Sequence, residues 1–399
     1  MLNKNQYTNK ILCGHALEIL RKLPPKIAQC CITSPPYWGL RVYSGEQERI
    51  WHGKPDCKHS FKQTTQKEEG YNNTRRRWQH GATRKDEPQN WTKQIKKYTF
   101  CKKCGAWKGQ LGLEPLHDCM AWARGEKPCP VCYVCHLRVI FAEVKRTLRD
   151  DGILWLNLGD SYAGSGKAGT SIKYQRKHAQ FRQKERKERL GLSIKPPKGL
   201  KPKDLVGIPW RCALALQADG WYLRSDVIYA KTNPTPESVK DRPTKAHEYL
   251  FLLAKSRQYY YDADAIREPL KEHSIKRYKY KHSFQRSFMV PNPKPRHPKK
   301  LHPNPLGRNK RSVWIISVVG FPGAHFATFP RKLVAPCILA GSSPKQGRNM
   351  VLDPFIGSGT TAIVALNNNR TYLGIDISKQ YTTMAQTRIK QETQQSSLL

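Results

Sequence analysis

Acidic residues are scarce in this chain. Thirty Asp and Glu stand against 71 Lys and Arg in 399 residues, a formal charge of +41 with a pI near 10.0. Such a field sets polycations aside as partners and attracts polyanions, of which nucleic acid is the commonest. Long apolar runs are missing as well. No stretch of 18 apolar residues occurs, so no membrane span and no membrane partner are expected. Met1 to Lys10 is polar and lacks the apolar core of a secretion signal, so a cytoplasmic protein is expected. No internal repeat is found, which sets solenoids and propellers aside. Two nucleotide signatures are also absent. Gly357 and Gly359 are followed by Ala362 where a nicotinamide-binding turn needs a third glycine. Gly164-Ser165-Gly166-Lys167 is not a phosphate loop, because Ser161 replaces its first glycine and Ala168 follows its lysine.

What is present fits one large α/β domain with insertions, or two domains. Hydrophobic residues make up 38%, enough for a sizeable core, yet a mean hydropathy of −0.70 assigns much of the length to surface or insertion. The N-terminal stretch reads strand (Ile11–Cys13), helix (Ala16–Leu20), strand (Ile27–Ile32), then the loop Thr33-Ser34-Pro35-Pro36-Tyr37-Trp38. Two prolines cannot continue a central strand, so the chain leaves the sheet there. Strand ends are where α/β folds place ligand chemistry. Tyr43 to Tyr133 reads as an irregular, metal-held insertion. Apolar residues from Val134 to Leu148 recur at helical spacing, Asp151-Gly152 reads as a turn, and Ile153–Leu158 as a buried strand. Gly164 to Lys203 carries thirteen Lys or Arg against two Glu, a basic loop suited to a phosphate backbone. Trp210–Ala218 reads as helix, and Leu223–Tyr229 and Tyr249–Ala254 as strands. Ala265 to Ser312 is again irregular, with fourteen basic residues against two acidic and with Tyr278, Tyr280, Phe284 and Phe288 interleaved. A helix opening at Phe329-Pro330, a strand at Met350–Leu352, a helix from Thr361, a strand at Tyr372–Ile375 and a helix over Gln380–Gln391 complete the pattern. The tail from Gln394 reads as disordered.

Two loops carry chemistry. Asp353-Pro354-Phe355-Ile356-Gly357-Ser358-Gly359-Thr360 joins a strand to a helix. Glycine lets backbone approach a ligand closely, and the helix start offers free N–H groups. The next strand ends at Asp376, an acid placed to suit ribose hydroxyls. The Cys residues form a third feature. Seven of the twelve lie between Cys57 and Cys135, and in a cytosolic chain that clustering reads as metal binding. Cys57-x-His59 with Cys101-x-x-Cys104-Gly105 is a four-ligand set suited to tetrahedral zinc. Cys119, Cys129, Cys132 and Cys135 form a second candidate set, with His117 or His136 as substitutes. Both are expected to be structural staples for a small insertion. Cys13, Cys30, Cys31 and Cys212 sit in apolar runs and read as core. Pro336-Cys337 and Pro128-Cys129 are the Pro-Cys pairs that could present a cysteine nucleophile. The first lies in an apparent helix and the second in the metal-like cluster.

The glycine loop closely resembles the cofactor loop of amino-methylating DNA methyltransferases, and Ser34-Pro35-Pro36-Tyr37 resembles that family's catalytic motif. Their order, catalytic loop first, resembles the permuted beta class. The resemblance covers about three-quarters of the chain. Trp155–Asp160, Asn233–Ser238 with His247-Glu248-Tyr249, and His325–Pro330 resemble later family segments. It implies a Rossmann-like methyltransferase fold with a mostly parallel, doubly wound sheet and a zinc-stapled insertion. It also implies S-adenosyl-L-methionine held by Asp353, Pro354, Phe355, Gly357, Ser358, Gly359, Thr360, Asp376 and Phe329. The Ser34 hydroxyl and Pro35 carbonyl bind the hydrogens of an exocyclic amine, Pro36 stiffens the loop, and Tyr37 offers a face to a flipped base. Ser34 favours cytosine N4 by family habit, with adenine N6 as the alternative. A non-catalytic zinc-dependent DNA-binding protein is the rival of another class, and RNA in place of duplex DNA as substrate is a weaker third option. A restriction endonuclease acting on the same site is the implied partner. One departure stands out: relatives often have Gly-Asp-Ala where this chain has Gly14-His15-Ala16, which puts a cofactor contact in doubt.

The expected organisation follows. Residues 1–43 and 134–262 form the catalytic half of the core, 44–133 the Cys-rich insertion, 263–312 the target-recognition region, 313–393 the cofactor half, and 394–399 a disordered tail.

Overall fold

The computed structural model describes residues 4–39, 47–51, 53–54, 56–67, 95–114, 119–163, 200–201, 203–279, 304–318, 329–345 and 349–396. Twelve strands are found among them: β1 (Lys10–Cys13), β2 (Ala28–Thr33), β3 (Arg49–Trp51), β4 (Phe61–Lys67), β5 (Ile95–Cys101), β6 (Trp107–Gly109), β7 (Leu148–Leu158), β8 (Tyr222–Lys231), β9 (His247–Ala254), β10 (Val313–Ile316), β11 (Met350–Asp353) and β12 (Thr371–Asp376). The helices are α1 (Ala16–Lys22), α2 (Tyr133–Thr147), α3 (Ile208–Ala218), α4 (Glu272–Lys279), α5 (Arg331–Gly341), α6 (Thr360–Asn367) and α7 (Lys379–Ser396).

Eight strands form the main sheet in the order β1-β12-β11-β2-β7-β9-β8-β10. Only β9 runs against its neighbours; every other pairing is parallel. Both faces are covered, as a parallel sheet requires. Alternate residues of each strand serve opposite cores. Cys31, Leu154, Leu253 and Leu352 pack with α1, α2 and α3. Cys30, Ile153, Leu252 and Val351 pack with α5, α6 and α7. The mostly parallel, doubly wound α/β sheet expected from the sequence is therefore present.

Several local expectations need correction. The stretch from Tyr43 to Tyr133 is not irregular, since β3, β6, β5 and β4 form a separate antiparallel sheet in that order. Its strands are short or built of Lys, Gln and Thr, so apolar alternation did not reveal them. Asp151-Gly152 is not a turn but lies inside the 11-residue β7, where the register to β2 shifts. A side chain at Gly152 would stand 3.0 Å from the Gln29 carbonyl, so the shift needs glycine. The edge strand β10 and the helix α4 were not read from sequence. Helix α7 runs to Ser396, into the tail read as disordered. Cys13 is exposed rather than core, because it ends the edge strand β1. No helix of the described residues is long and apolar enough to cross a membrane. Most of the basic stretch 164–203, the residues Tyr280, Phe284 and Phe288, and His325 to Thr328 lie outside the described residues.

Candidate active site

Parallel strands bring their C-terminal ends to one edge of a sheet. Here Thr33, Leu158, Asp353 and Asp376 end β2, β7, β11 and β12, which are consecutive neighbours apart from order. The Ser34–Tyr37 loop and the glycine loop, over 300 residues apart in sequence, leave adjacent strands. They are joined directly: the Thr33 hydroxyl donates to Asp353 Oδ1 at 2.7 Å.

Asp353 is the hub of the glycine loop. Its second oxygen accepts from the Thr361 hydroxyl at 2.7 Å, and Oδ1 also accepts from the Phe355 N–H at 3.1 Å. Burial pushes its pKa up to about 6 against those bonds. Gly357 and Gly359 have φ of 51° and 82°, in the left-handed region that favours glycine. A side chain at Gly359 would come within 2.9 Å of Ala385 Cβ on α7. The Gly357 N–H donates to Asp376 Oδ2 at 3.0 Å and the Ser378 N–H to Oδ1 at 2.8 Å. Asp376 therefore sits beside the loop, as the sequence placed it, and burial raises its pKa to about 6 as well. Ser358 and Thr360 are buried, whereas Phe355 and Phe329 are half-buried on opposite faces of the sheet.

The Ser34–Tyr37 loop is held by an oriented network. Tyr37 Oη donates to Glu248 Oε2 at 2.7 Å. It accepts from Ser34 Oγ at 3.2 Å and from the Asn157 amide, whose other hydrogen goes to Glu248 at 2.8 Å. Lys231 pairs with the second Glu248 oxygen. Burial first, then the neighbouring Glu248, holds the Tyr37 phenol well above its ordinary pKa, so it stays protonated. The Ser34 hydrogen is thus spent on Tyr37, and the Ser34 lone pairs remain as acceptors. The Tyr37 ring lies against Gly159, where a Cβ would meet it at 2.6 Å. The Tyr37 hydroxyl is thus anchored inside the protein. From below, Pro36 and the Tyr37 carbonyl contact Gly112, and the Pro36 carbonyl accepts from Tyr133 Oη at 2.7 Å.

His15 turns toward the insertion. Its ring meets Trp51 edge-on at 4.8 Å between centroids, with Arg49, His136 and Arg21 near. Burial, then the positive charge of Arg49, lowers its pKa to about 4, so it is neutral at pH 7. Gly14 still bonds the carbonyl of Asp376 at 2.8 Å, so this turn borders the cofactor loop through its backbone.

The structure assembles both cysteine sets. Within each, the four ligand atoms lie within 4.8 Å of one another. Cys57 and Cys101 sulfurs are 3.9 Å apart, Cys104 Sγ and His59 Nδ1 3.4 Å, and Cys119 Sγ is 3.5 Å from both Cys132 and Cys135. A tetrahedron with metal–sulfur bonds of about 2.3 Å spaces its corners about 3.8 Å apart, so the donors fit. The Cys132 and Cys135 N–H groups donate to Cys129 and Cys132 sulfurs, each at 3.3 Å. His136 is not a ligand, since it bonds Glu114 and the Pro130 carbonyl; His117 lies outside the described residues. Cys337 is fully buried in α5 with its thiol on the Leu333 carbonyl, which removes it as a nucleophile.

Thr33, Lys231 and Tyr133 were not singled out from the sequence, and Asn157 and Glu248 only as parts of family-like blocks. Their one signal was polarity at the end of an apolar strand or, for Tyr133, a place between two cysteines.

Comparison with known proteins follows this geometry. A family model described as DNA methylase, of N6/N4 type, matches residues 130–387. The chain is 35% identical over 392 residues to the Type II methyltransferase M.SmaI of Serratia marcescens, covering 97% of this chain and 93% of that protein. It is 35% identical over 381 residues to M.Cfr9I of Citrobacter freundii, covering 95% and 87%. M.XycI of Xanthomonas campestris pv. cyanopsidis is 36% identical over 379 residues, covering 94% and 86%. The solved PvuII DNA methyltransferase, cytosine-N4-specific, aligns with a TM-score of 0.48 at 14% identity over 97% of this chain and 90% of that one, a likeness too distant to bear on substrate.

Proposed function

The chain belongs to the N6/N4 DNA methylase family, and from that premise we propose that it methylates the N4 amine of cytosine in duplex DNA. Its activity is S-adenosylmethionine-dependent DNA methylation, and the bound cofactor supplies an electrophilic sulfonium methyl. The observation that carries the finer reading is the Ser34–Tyr37–Glu248 chain of hydrogen bonds, which leaves Ser34 Oγ as an acceptor. An exocyclic amine is a poor nucleophile because its lone pair is delocalised into the ring. Ser34 Oγ and the Pro35 carbonyl accept its two hydrogens and turn the lone pair toward the methyl. The N–C bond forms as the S–C bond breaks, and one amine proton leaves to solvent. Positioning supplies most of the rate. A serine at the first position of the motif supports cytosine by family habit.

Asp376 and the Gly357–Thr360 backbone hold the cofactor, with Phe329 and Phe355 as apolar walls. The two four-ligand sets would each hold zinc as a structural ion, their four protein donors filling a tetrahedral shell. Residues 44–133 are the zinc-stapled insertion and 263–312 the recognition region, whose arginines and aromatics would supply the groove contacts. A restriction endonuclease cutting the same site is the expected companion.

Incubation with mixed-sequence duplex DNA and labelled S-adenosylmethionine, followed by digestion to nucleosides, tests this. Labelled N4-methylcytosine is expected; labelled N6-methyladenine would move the target to adenine with the sites unchanged. Elemental analysis should find two zinc ions per chain.

A further inference from the structure

The second cysteine cluster and the Ser34–Tyr37 loop meet at one hydrogen bond. Tyr133 lies between two ligands, in the run Cys132-Tyr133-Val134-Cys135, and is buried. Its hydroxyl donates to the Pro36 carbonyl at 2.7 Å. Cys132 is also the N-cap of α2, its sulfur accepting from the Cys135 N–H. The cluster therefore fixes where that helix starts and where the phenol points.

A second line runs in parallel. Glu114 Oε2 accepts from the Gly112 N–H at 2.8 Å, and Gly112 lies against Pro36 with its carbonyl accepting from the Gly39 N–H at 2.8 Å. Glu114 Oε1 bonds His136 Nδ1 at 2.8 Å, both side chains being fully buried. His136 follows the ligand Cys135, and its other ring nitrogen faces the carbonyl of Pro130, which follows the ligand Cys129. A local staple needs no such connections. Its intervening residues would serve as well facing solvent.

We propose that the Cys119, Cys129, Cys132, Cys135 centre braces the catalytic loop, with Tyr133 as a positioning residue. Prolines fix φ at positions 35 and 36 but leave ψ free. Anchoring the Pro36 carbonyl fixes ψ at Pro36 and ties down the peptide next to Pro35, which restricts how far the Pro35 carbonyl and Ser34 can turn. Metal at this centre thereby tunes methyl transfer, while the first centre, built from Cys57 and His59 between β3 and β4 and from Cys101 and Cys104 at the β5–β6 turn, makes no hydrogen bond to the loop among the described residues. The inference rests on the reading of Ser34–Tyr37 as the catalytic loop.

The test compares full-length wild type, Tyr133→Phe, Glu114→Gln and Ser34→Ala. Phe keeps the buried ring and all ligands; Gln is the second probe should Phe disturb folding. Single-turnover transfer, cofactor and DNA dissociation constants, and zinc release to a chromophoric chelator are measured. Tyr133→Phe should transfer about tenfold more slowly, the worth of one strong hydrogen bond, with both dissociation constants within twofold. Coupling of binding free energies is reciprocal, so wild type assembled on DNA with S-adenosylhomocysteine should hold one of its two zinc ions more tightly in equilibrium competition with the chelator. Tyr133→Phe and Glu114→Gln should lose that protection. Wild-type transfer and wild-type protection in both variants, with Ser34→Ala inactive, would overturn the brace alone. Full transfer by Ser34→Ala would instead overturn the catalytic-loop reading.

Discussion

Replacing Glu248 with Gln probes the network that orients Ser34. The carboxylate accepts from Tyr37 Oη at 2.7 Å and from Asn157 at 2.8 Å, and it pairs with Lys231. An amide of the same shape offers one acceptor oxygen: placed at the Oε2 position it sets its NH2 against Lys231, and placed at the Oε1 position it sets its NH2 against both Tyr37 and Asn157. A hydrogen bond to a charged group is worth about 1.5–3 kcal/mol, and breaking a fully buried pair costs about 3–5 kcal/mol. Lys231 and Glu248 side chains are 23% and 18% exposed, so water screens part of the second figure. A loss of about 2–3 kcal/mol is the result. If it falls on the transition state, single-turnover transfer slows by about 30- to 150-fold at about 1.4 kcal/mol per decade. The assay uses enzyme in excess over a site-bearing duplex at saturating cofactor, with thermal unfolding in parallel. Transfer at the wild-type rate would refute the reasoning. So would a loss confined to the melting temperature, since the network would then be structural only.

The same geometry fixes four further outcomes. Gly159→Ala should displace the Tyr37 ring, because the new Cβ would stand 2.6 Å from it, and cut transfer at least about tenfold while cofactor affinity, measured by calorimetry, holds. Cofactor affinity should fall as pH drops through about 6, because Asp376 must be ionised to accept ribose hydroxyls; at pH 5 the dissociation constant rises about tenfold, and Asp376→Asn removes the dependence. The unliganded fold has the opposite sign: a carboxyl whose folded pKa is raised from 3.8 to about 6 adds stability as pH falls across that window, readable by chemical denaturation. Finally, His15→Ala should leave cofactor affinity within twofold but lower the melting temperature, since the ring packs on Trp51.

The sequence by itself determined the periodic and the punctuated. The apolar runs of β2, β7, β9 and β11 and the spacing in α2 announced a parallel sheet covered by helices. Pro35-Pro36 and Gly357-Ser358-Gly359 marked the loops, because proline and glycine restrict or free the backbone wherever they stand. The four-ligand sets were readable because a metal needs several ligands and the chain supplies them in short pairs. Tertiary structure decided what depends on residues distant in sequence. Thr33 meets Asp353 across 320 positions only because β2 and β11 are neighbours. Glu248 reaches Tyr37 because the antiparallel β9 starts where β7 ends, pairing Tyr249 with Leu158 and leaving Glu248 just beyond that pair at the active edge. The polar insertion sheet and the bond from Tyr133 to Pro36 likewise left no periodic trace. Local propensity is written residue by residue, but a hydrogen bond between strand ends exists only once the strands have been ordered.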